Sequence, residues 1–281
     1  MGDTDHLAIT QLGTADAASG IALSTEAQWN QNEADWLFFL SKGIVFGVRD
    51  RGGKLVATAA LLPYTASDAW ISMVLVTVSR RRERLGTRIL EACCAEIMRR
   101  HLVAVLDATP AGERVYRPLG FEPIFKLSRW QGVGSGAAVL PPGIRPMQDR
   151  DIAAIATRDA AAFGARRPFL IENFFRRAPH LAFVTDDASG FVLARPGRVA
   201  TQIGPVVASD DAVAAKLLAA SLDAARGPVL LDLADRWDHL GALLARRGFT
   251  VQRPYLRMGL GRALPFGDPD RTFIVAGPEF G

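Results

Sequence analysis

The sequence predicts an α/β protein of two domains, each a mixed sheet flanked by helices. Three observations carry this: the length, a breaker-rich segment near the middle, and a weak repetition of element order on either side of it. The chain has 281 residues, too many for one small domain and comfortable for two. Hydrophobic residues make up 49%, enough for sizeable cores, and 22% charged residues argue against disorder. The run Gly132-Val133-Gly134-Ser135-Gly136, followed by Pro141-Pro142-Gly143, reads as a linker. It divides the chain into residues 1–134 and 140–281.

In the first half, Leu7 to Leu12 alternates as a strand does, and a helical region runs from Asp16 to about Leu40, ending at Gly43. Strand-like runs follow at Ile44–Val48, Leu55–Leu62 and Trp70–Val76, the first two joined by the hairpin turn Asp50-Arg51-Gly52-Gly53. Leu85, Ile89, Cys93 and Ile97 recur every four positions and mark a helix with one apolar face. A buried-type strand at Leu102–Leu106, a short helix carrying Val115, Tyr116 and Leu119, and a strand at Pro123–Trp130 complete the half. The second half repeats the order. A strand opens at Ile144–Pro146, followed by a helix at Asp151–Ala162 and strands at Ala182–Thr185, Phe191–Ala194 and Ala200–Val207. A helix at Asp210–Ala225, a strand at Val229–Leu233 and a helix from Trp237 come next. Arg247-Gly248-Phe249 echoes Leu119-Gly120-Phe121, with Gly248 and Gly120 128 residues apart, and Leu231-Asp232 echoes Leu106-Asp107 at 125. Two echoes nearly in register indicate two copies of one fold.

Composition narrows the function. The formal net charge of +4 suits a small anion as well as a nucleic acid and is more often plain surface composition, and no basic helix interleaved with aromatics points to nucleic acid. No apolar run has bilayer length, so no membrane span is expected. The polar start Met1-Gly2-Asp3-Thr4-Asp5 lacks the pattern of a secretory signal, which places the expected location in the cytoplasm. Cys93 and Cys94 are adjacent and read as small hydrophobes in a reducing compartment; a redox pair is the sharper alternative. The four histidines are far apart, and no metal site is expected.

The chemistry concentrates where the strand ending at Val76 meets the helix beginning near Leu85. The first helical turn offers unpartnered N–H groups to an anion, and Arg80, Arg81, Arg82, Arg84 and Arg88 would add charge-assisted hydrogen bonds to phosphate. A solvated basic helix start is the alternative. Arg81-Arg82-Glu83-Arg84-Leu85-Gly86 resembles the cofactor motif Gln/Arg-x-x-Gly-x-Gly/Ala of the GNAT superfamily of N-acetyltransferases, with Arg84 in place of the middle glycine. Tyr116-Arg117-Pro118-Leu119-Gly120-Phe121 resembles that superfamily's Tyr-x-x-Leu-Gly-Phe stretch. The resemblance implies two tandem GNAT-like domains with central, mostly antiparallel sheets. It implies acetyl-CoA as co-substrate, held by the backbone of Val74, Leu75 and Val76 and by the turn Arg81, Arg82, Glu83, Arg84, Leu85, Gly86 and Thr87. Tyr116 would be the general acid that protonates the CoA thiolate, since a phenol of pKa near 10 still holds its proton at neutral pH. Asp107 is a candidate base or acceptor contact, with helix capping the competing reading.

After Val207 the sequence Ala208-Ser209-Asp210-Asp211-Ala212 offers two acids and no glycine or arginine, which would repel a pyrophosphate. Leu244 stands where Tyr116 stands in the first half. Arg195-Pro196-Gly197-Arg198, Gln202-Ile203-Gly204-Pro205 and Ala276-Gly277-Pro278-Glu279-Phe280-Gly281 resemble the degenerate C-terminal domain of a bacterial tandem-GNAT group. The acceptor, expected to be a small-molecule amine, could meet Trp29, Trp36, Asp107, Asp232 and Trp237. The two early tryptophans, seven apart, equally suit a packed helix face. A non-catalytic acyl-CoA sensor and a protein-modifying acetyltransferase are the rival functions, and a homodimer is left open.

Overall fold

A computed structural model describes residues 7–65, 67–137 and 139–281. In the first half they form β1 (Ile9–Gln11), α1 (Ala17–Glu26), α2 (Glu33–Lys42), β2 (Ile44–Arg49), β3 (Leu55–Pro63) and β4 (Asp68–Val76). There follow α3 (Leu85–Arg99), β5 (Val103–Ala108), α4 (Pro110–Tyr116) and β6 (Phe121–Ser135). The second half holds β7 (Ile144–Pro146), α5 (Ile152–Phe163), α6 (Pro168–Arg177), β8 (Phe183–Thr185), β9 (Phe191–Pro196) and β10 (Thr201–Val207). It ends with α7 (Asp211–Ala224), β11 (Arg226–Ala234), α8 (Asp238–Arg246), β12 (Thr250–Leu260) and β13 (Thr272–Ile274).

All thirteen strands join one sheet in the order β1-β2-β3-β4-β5-β12-β6-β11-β13-β10-β9-β8-β7. Pairing is antiparallel except for β4–β5 and β10–β11. The order shows that the halves exchange strands. β12, from the second half, lies between β5 and β6, and β6, from the first, pairs with β11. Each exchange is marked by a buried ion pair on facing residues. Arg257 of β12 forks onto Asp107 of β5 at 2.8 and 2.9 Å. Arg129 of β6 forks onto Asp232 of β11 at 2.9 Å for both bonds. The two arginines are 128 residues apart, the offset of the two Gly-Phe echoes, so these are the same contact made twice. Bidentate geometry fixes both partners in plane, and a charge buried in the wrong register would be left unpaired at high cost.

The exchange corrects the linker expected over Gly132–Gly136. β6 runs on as strand through Ser135, and its glycines serve close packing. A Cβ on Gly132 would meet the Phe249 ring at 2.5 Å, and one on Gly134 would meet the Ala225 carbonyl at 2.3 Å. The helical region expected over 16–40 is two helices, and α6, β12 and β13 were not anticipated. In α3 the expected face is buried, with Leu85, Ile89, Cys93 and Ile97 nearly inaccessible. Between the halves, Phe280 stacks on Phe39 at 4.9 Å and meets Phe38 and Phe174 edge-on, so one aromatic core serves α2, α6 and the chain's last residues. No helix among the described residues is long and apolar enough to cross a membrane.

Candidate active site

The site originates in a fault in β4. Its register with β3 shifts between Thr58↔Leu75 and Ala60↔Ser72, and Met73 takes a left-handed φ of 52°, unusual for a residue with a side chain. The Thr58 hydroxyl donates to the Met73 carbonyl at 2.9 Å and holds the bulge. β4 and β5 pair from Asp68↔Val103 to Trp70↔Val105 and no further; beyond that they splay. The gap is a cleft of about 410 Å³ walled by Ser72–Val76 on one side and by Leu106, Asp107 and Tyr116 on the other. Among the described residues the splayed β4 edge has no strand partner on this side, so its N–H and C=O groups are available to an extended ligand.

At one mouth of the cleft stands the arginine turn. The first hydrogen bond entering α3 runs from the Arg88 N–H to the Arg84 carbonyl at 3.0 Å, which leaves the amides of Leu85, Gly86 and Thr87 with no helical acceptor. Arg84 occupies the motif's glycine position in the left-handed conformation glycine would favour, at φ 61°, and Arg82 does the same at 69°. A Cβ on Gly86 would approach Val76 no closer than 3.5 Å, so packing leaves room above this residue. Of the five arginines, Arg80 is turned onto Glu83 at 2.7 Å and Arg88 onto the Leu7 carbonyl at 2.9 Å. Arg81, Arg82 and Arg84 are exposed. The base of the turn is clamped by Glu26, which accepts from the Val78 N–H at 2.8 Å and from the Thr77 hydroxyl. These hydrogen bonds, the backbone one foremost, hold its carboxyl below the usual range. Glu26 carries no signal in the sequence; only its place at the end of α1 brings it under the turn.

Tyr116, the last residue of α4, lines the cleft beside the β4 edge. Its ring packs on Phe121 at 6.0 Å, and Gly112 makes room for it: a Cβ there would lie 3.2 Å from the hydroxyl. The hydroxyl makes no hydrogen bond among the described residues. Burial raises its pKa above the ordinary value, with a smaller contribution from Cys93 behind it, so the phenol keeps its proton well into alkaline pH. Cys93 is buried and Cys94 half-buried, both as free thiols, and burial raises the Cys93 pKa as well.

The inner end of the cleft is built by both halves. Trp29 and Gln31 come from the connection between α1 and α2, Ser72 from β4, and Arg129, Tyr255, Pro278 and Glu279 from the exchanged strands and the chain's last turn. The expected acceptor residues divide here. Trp29 lines the cleft from a loop, so it shares no helix face with Trp36. Trp36 is wholly buried on α2, donating to Ser24 at 3.0 Å. Asp107 lines the cleft, but both its oxygens are held by Arg257, and its pKa is raised because burial outweighs that partner. Nor does it cap α4; Thr109 does, accepting from the Gly112 N–H at 3.1 Å. Asp232 is fully buried under Arg129 and Gln202. Trp237 stacks on Phe273 at 4.2 Å and donates to the Thr272 carbonyl. Trp36, Asp232 and Trp237 therefore lie outside the cleft.

Trp237 reveals why the second half lacks an equivalent opening. β10 and β11 run parallel at Thr201–Ile203 and Val229–Leu231, then part as β4 and β5 do, but β13 enters between them and pairs with both. The tail passes so close to β10 that a Cβ on Gly204 would lie 2.1 Å from the Val275 carbonyl. The chain fills this slot with itself. It then runs on to the first cleft, where Trp70 donates to the Pro278 carbonyl at 3.0 Å and Tyr64 to the Phe280 carbonyl at 2.6 Å. The turn before α7 caps its helix instead of an anion, Asp210 accepting from the Val213 N–H at 2.9 Å.

A sheet splayed behind a bulge, with a helix-opening anion turn at one end and a buried phenol at its edge, defines an acyl-CoA-dependent acyltransferase fold. The chain belongs to the GNAT acetyltransferases in their tandem form: the model of the acetyltransferase (GNAT) family matches residues 15–121, and that of a further acetyltransferase (GNAT) domain matches residues 155–270. It is an acyltransferase by the same matches and those of its curated relatives. It is 21% identical over 235 residues to an uncharacterized N-acetyltransferase of Bacillus subtilis, YitH, covering 82% of this chain and 83% of that protein. It is 25% identical over 232 residues to the holothin acyltransferase of a Pseudoalteromonas species, covering 80% and 78%. A Pyrococcus horikoshii protein assigned as an acetyltransferase superposes with a TM-score of 0.82 over 100% of this chain and 98% of its own, at 19% identity. A tandem GNAT protein from the clavulanic acid biosynthesis pathway gives 0.60 over 90% and 98%, at 18% identity.

Proposed function

We propose that the first half transfers an acetyl group from acetyl-CoA to a primary amine of a small molecule, with Tyr116 as general acid. The observation that carries this is the coincidence, in one cleft, of an unpartnered β4 edge, an anion turn and a buried tyrosine still holding its proton. The pantetheine arm adds to the edge at Val74, Leu75 and Val76. The pyrophosphate rests on the turn Arg81, Arg82, Glu83, Arg84, Leu85, Gly86 and Thr87, with the exposed arginines supplying charge. The amine nitrogen attacks the thioester carbon, a C–N bond forms, and the C–S bond breaks with its electron pair on sulfur, which takes the Tyr116 proton. A relative named for acylating holothin supports a small acceptor. On this reading residues 1–134 catalyse, residues 140–281 brace the sheet and close the acceptor end, and the protein works in the cytoplasm.

The test replaces Tyr116 by phenylalanine and follows CoA release with a panel of small primary amines, glucosamine among them. The expected result is a loss in kcat of about 10²-fold or more with the acetyl-CoA Kd within about twofold of the parent. Equal kcat across the pH range would remove Tyr116 from the mechanism.

A further inference from the structure

The acceptor end of the cleft contains polar atoms that the protein itself leaves unused. Gln31 is 3% exposed and Ser72 8%, and both Gln31 Oε1 and Ser72 Oγ are buried without a hydrogen-bond partner among the described residues. A buried polar atom with no partner is a standing cost, and both residues face the same cleft. Glu279 lines the same cleft. One of its carboxylate oxygens, Oε1, is taken by Arg195; the other, Oε2, makes no hydrogen bond among the described residues. Arg195 also faces Asp35 at 3.3 Å, and Asp35 in turn takes Arg177 at 2.7 Å. The guanidinium lies over the rings of Phe174 and Phe280, 5.1 and 4.9 Å from their centres. These contacts fix Glu279 rigidly with one oxygen spare.

Resting on the reading above, we infer that Glu279, Gln31 and Ser72 form the acceptor subsite, and that it takes a compact primary ammonium carrying a second hydrogen-bond donor. Glu279 Oε2 receives the ammonium and takes one of its three protons, which frees the nitrogen lone pair to form the C–N bond, and passes that proton to solvent after product leaves. A second nitrogen proton goes to solvent as the C–S bond breaks, and solvent returns one to Tyr116 in place of the proton given to sulfur, so one proton is released net. The Gln31 carbonyl accepts from the donor on the acceptor's body, and Trp29 and Tyr255 flank the cation. The acceptor is compact because the same 410 Å³ must also admit the thioester. The group that selects the amine thus comes from the last turn of the second half, so that half is part of the active site.

The experiment uses the full chain with acetyl-CoA and four probes: ethanolamine, glucosamine, the amide of lysine, and n-propylamine, which lacks a second donor. The first three or a subset should be acetylated and n-propylamine disfavoured by about tenfold in kcat/KM. Glu279→Gln keeps an oxygen for Arg195 and should lower kcat/KM by at least about 30-fold for the best probe, with acetyl-CoA affinity unchanged. Gln31→Met should raise KM about fivefold or more with kcat nearly constant, while raising the melting temperature of the free protein, because an unsatisfied polar atom is gone. Acetyl-CoA bound with every probe inert, Glu279→Gln matching the parent, or Gln31→Met lowering the melting temperature without moving KM would each overturn the subsite. Failure to bind acetyl-CoA at all would instead overturn the reading on which it rests.

Discussion

Replacing Arg257 by methionine tests whether the exchanged strands are held by charge. The Asp107 side chain is inaccessible and that of Arg257 is 7% exposed, so the substitution leaves a buried carboxylate with no counter-ion. The Arg257 guanidinium lies over the rings of Trp70 and Phe125, 4.7 and 4.8 Å from their centres; methionine keeps an apolar chain to pack there but no charge, so most of the loss is electrostatic. Removing one partner of such a pair costs about 3–5 kcal/mol, or a fall of roughly 5–8 °C in melting temperature for a chain of this size. The sign with pH follows from Asp107. Its folded pKa is already raised by burial and rises further without Arg257, so between the unfolded and folded values the native state holds the extra proton. Stability of the variant therefore declines as pH climbs through that window and levels off above it. Urea denaturation at pH 5 and pH 8 should show the variant nearer the parent at pH 5. The double variant Asp107→Leu with Arg257→Met, which buries no charge, should recover most of the loss. An Arg257→Met deficit equal at the two pH values, or undiminished in the double variant, would mean that packing rather than charge fixes the exchange.

Two smaller perturbations probe the backbone. Gly132→Ala pushes a methyl group into the Phe249 ring and should cost about 1–3 kcal/mol in urea denaturation; a neutral result would mean β6 ends before the exchange. Arg84→Gly removes a left-handed side-chain residue at φ 61°, a saving of about 1–2 kcal/mol against about 0.5–1 for glycine's chain entropy, so the melting temperature should rise by a few degrees at most; a fall would show that the Arg84 side chain supports the fold.

What the sequence made legible was whatever is local. The α3 stripe, the turn before it, the Tyr116 helix and the repeated order of elements are written in spacing and in breakers. The strand exchange is not local. β12 carries Pro254 and a buried Arg257 and is interrupted by register shifts after Val251 and Arg257, so its alternation does not read as a central strand. Gly132 and Gly134 look like a linker because glycine serves flexibility and close packing alike, and only the position of Phe249 and Ala225 decides between them. Trp36 and Trp29 are seven apart in sequence, yet one is core and the other cleft wall, because the chain leaves α1 before Trp29. The inner site, Gln31, Ser72, Tyr255 and Glu279, draws on four distant segments, and no spacing rule joins them.

The filled slot in the second half bears on why that half persists without a cofactor turn. β13 occupies the gap between β10 and β11 and thereby directs the last residues across the sheet to the first cleft. Were that slot open, as its counterpart is, the tail would have no path along which Trp70 and Tyr64 could anchor it, and Glu279 would have no fixed position. On the subsite proposed above, closing one site is thus what completes the other. The same economy appears in the paired ion contacts. Asp107 and Asp232 occupy equivalent strand ends, and each is committed to an arginine of the opposite half, so neither remains for the acceptor. On the acceptor reading proposed above, a carboxylate for the amine has to come from elsewhere, and the tail supplies the only one lining the cleft, among the described residues, with an oxygen free of hydrogen bonds.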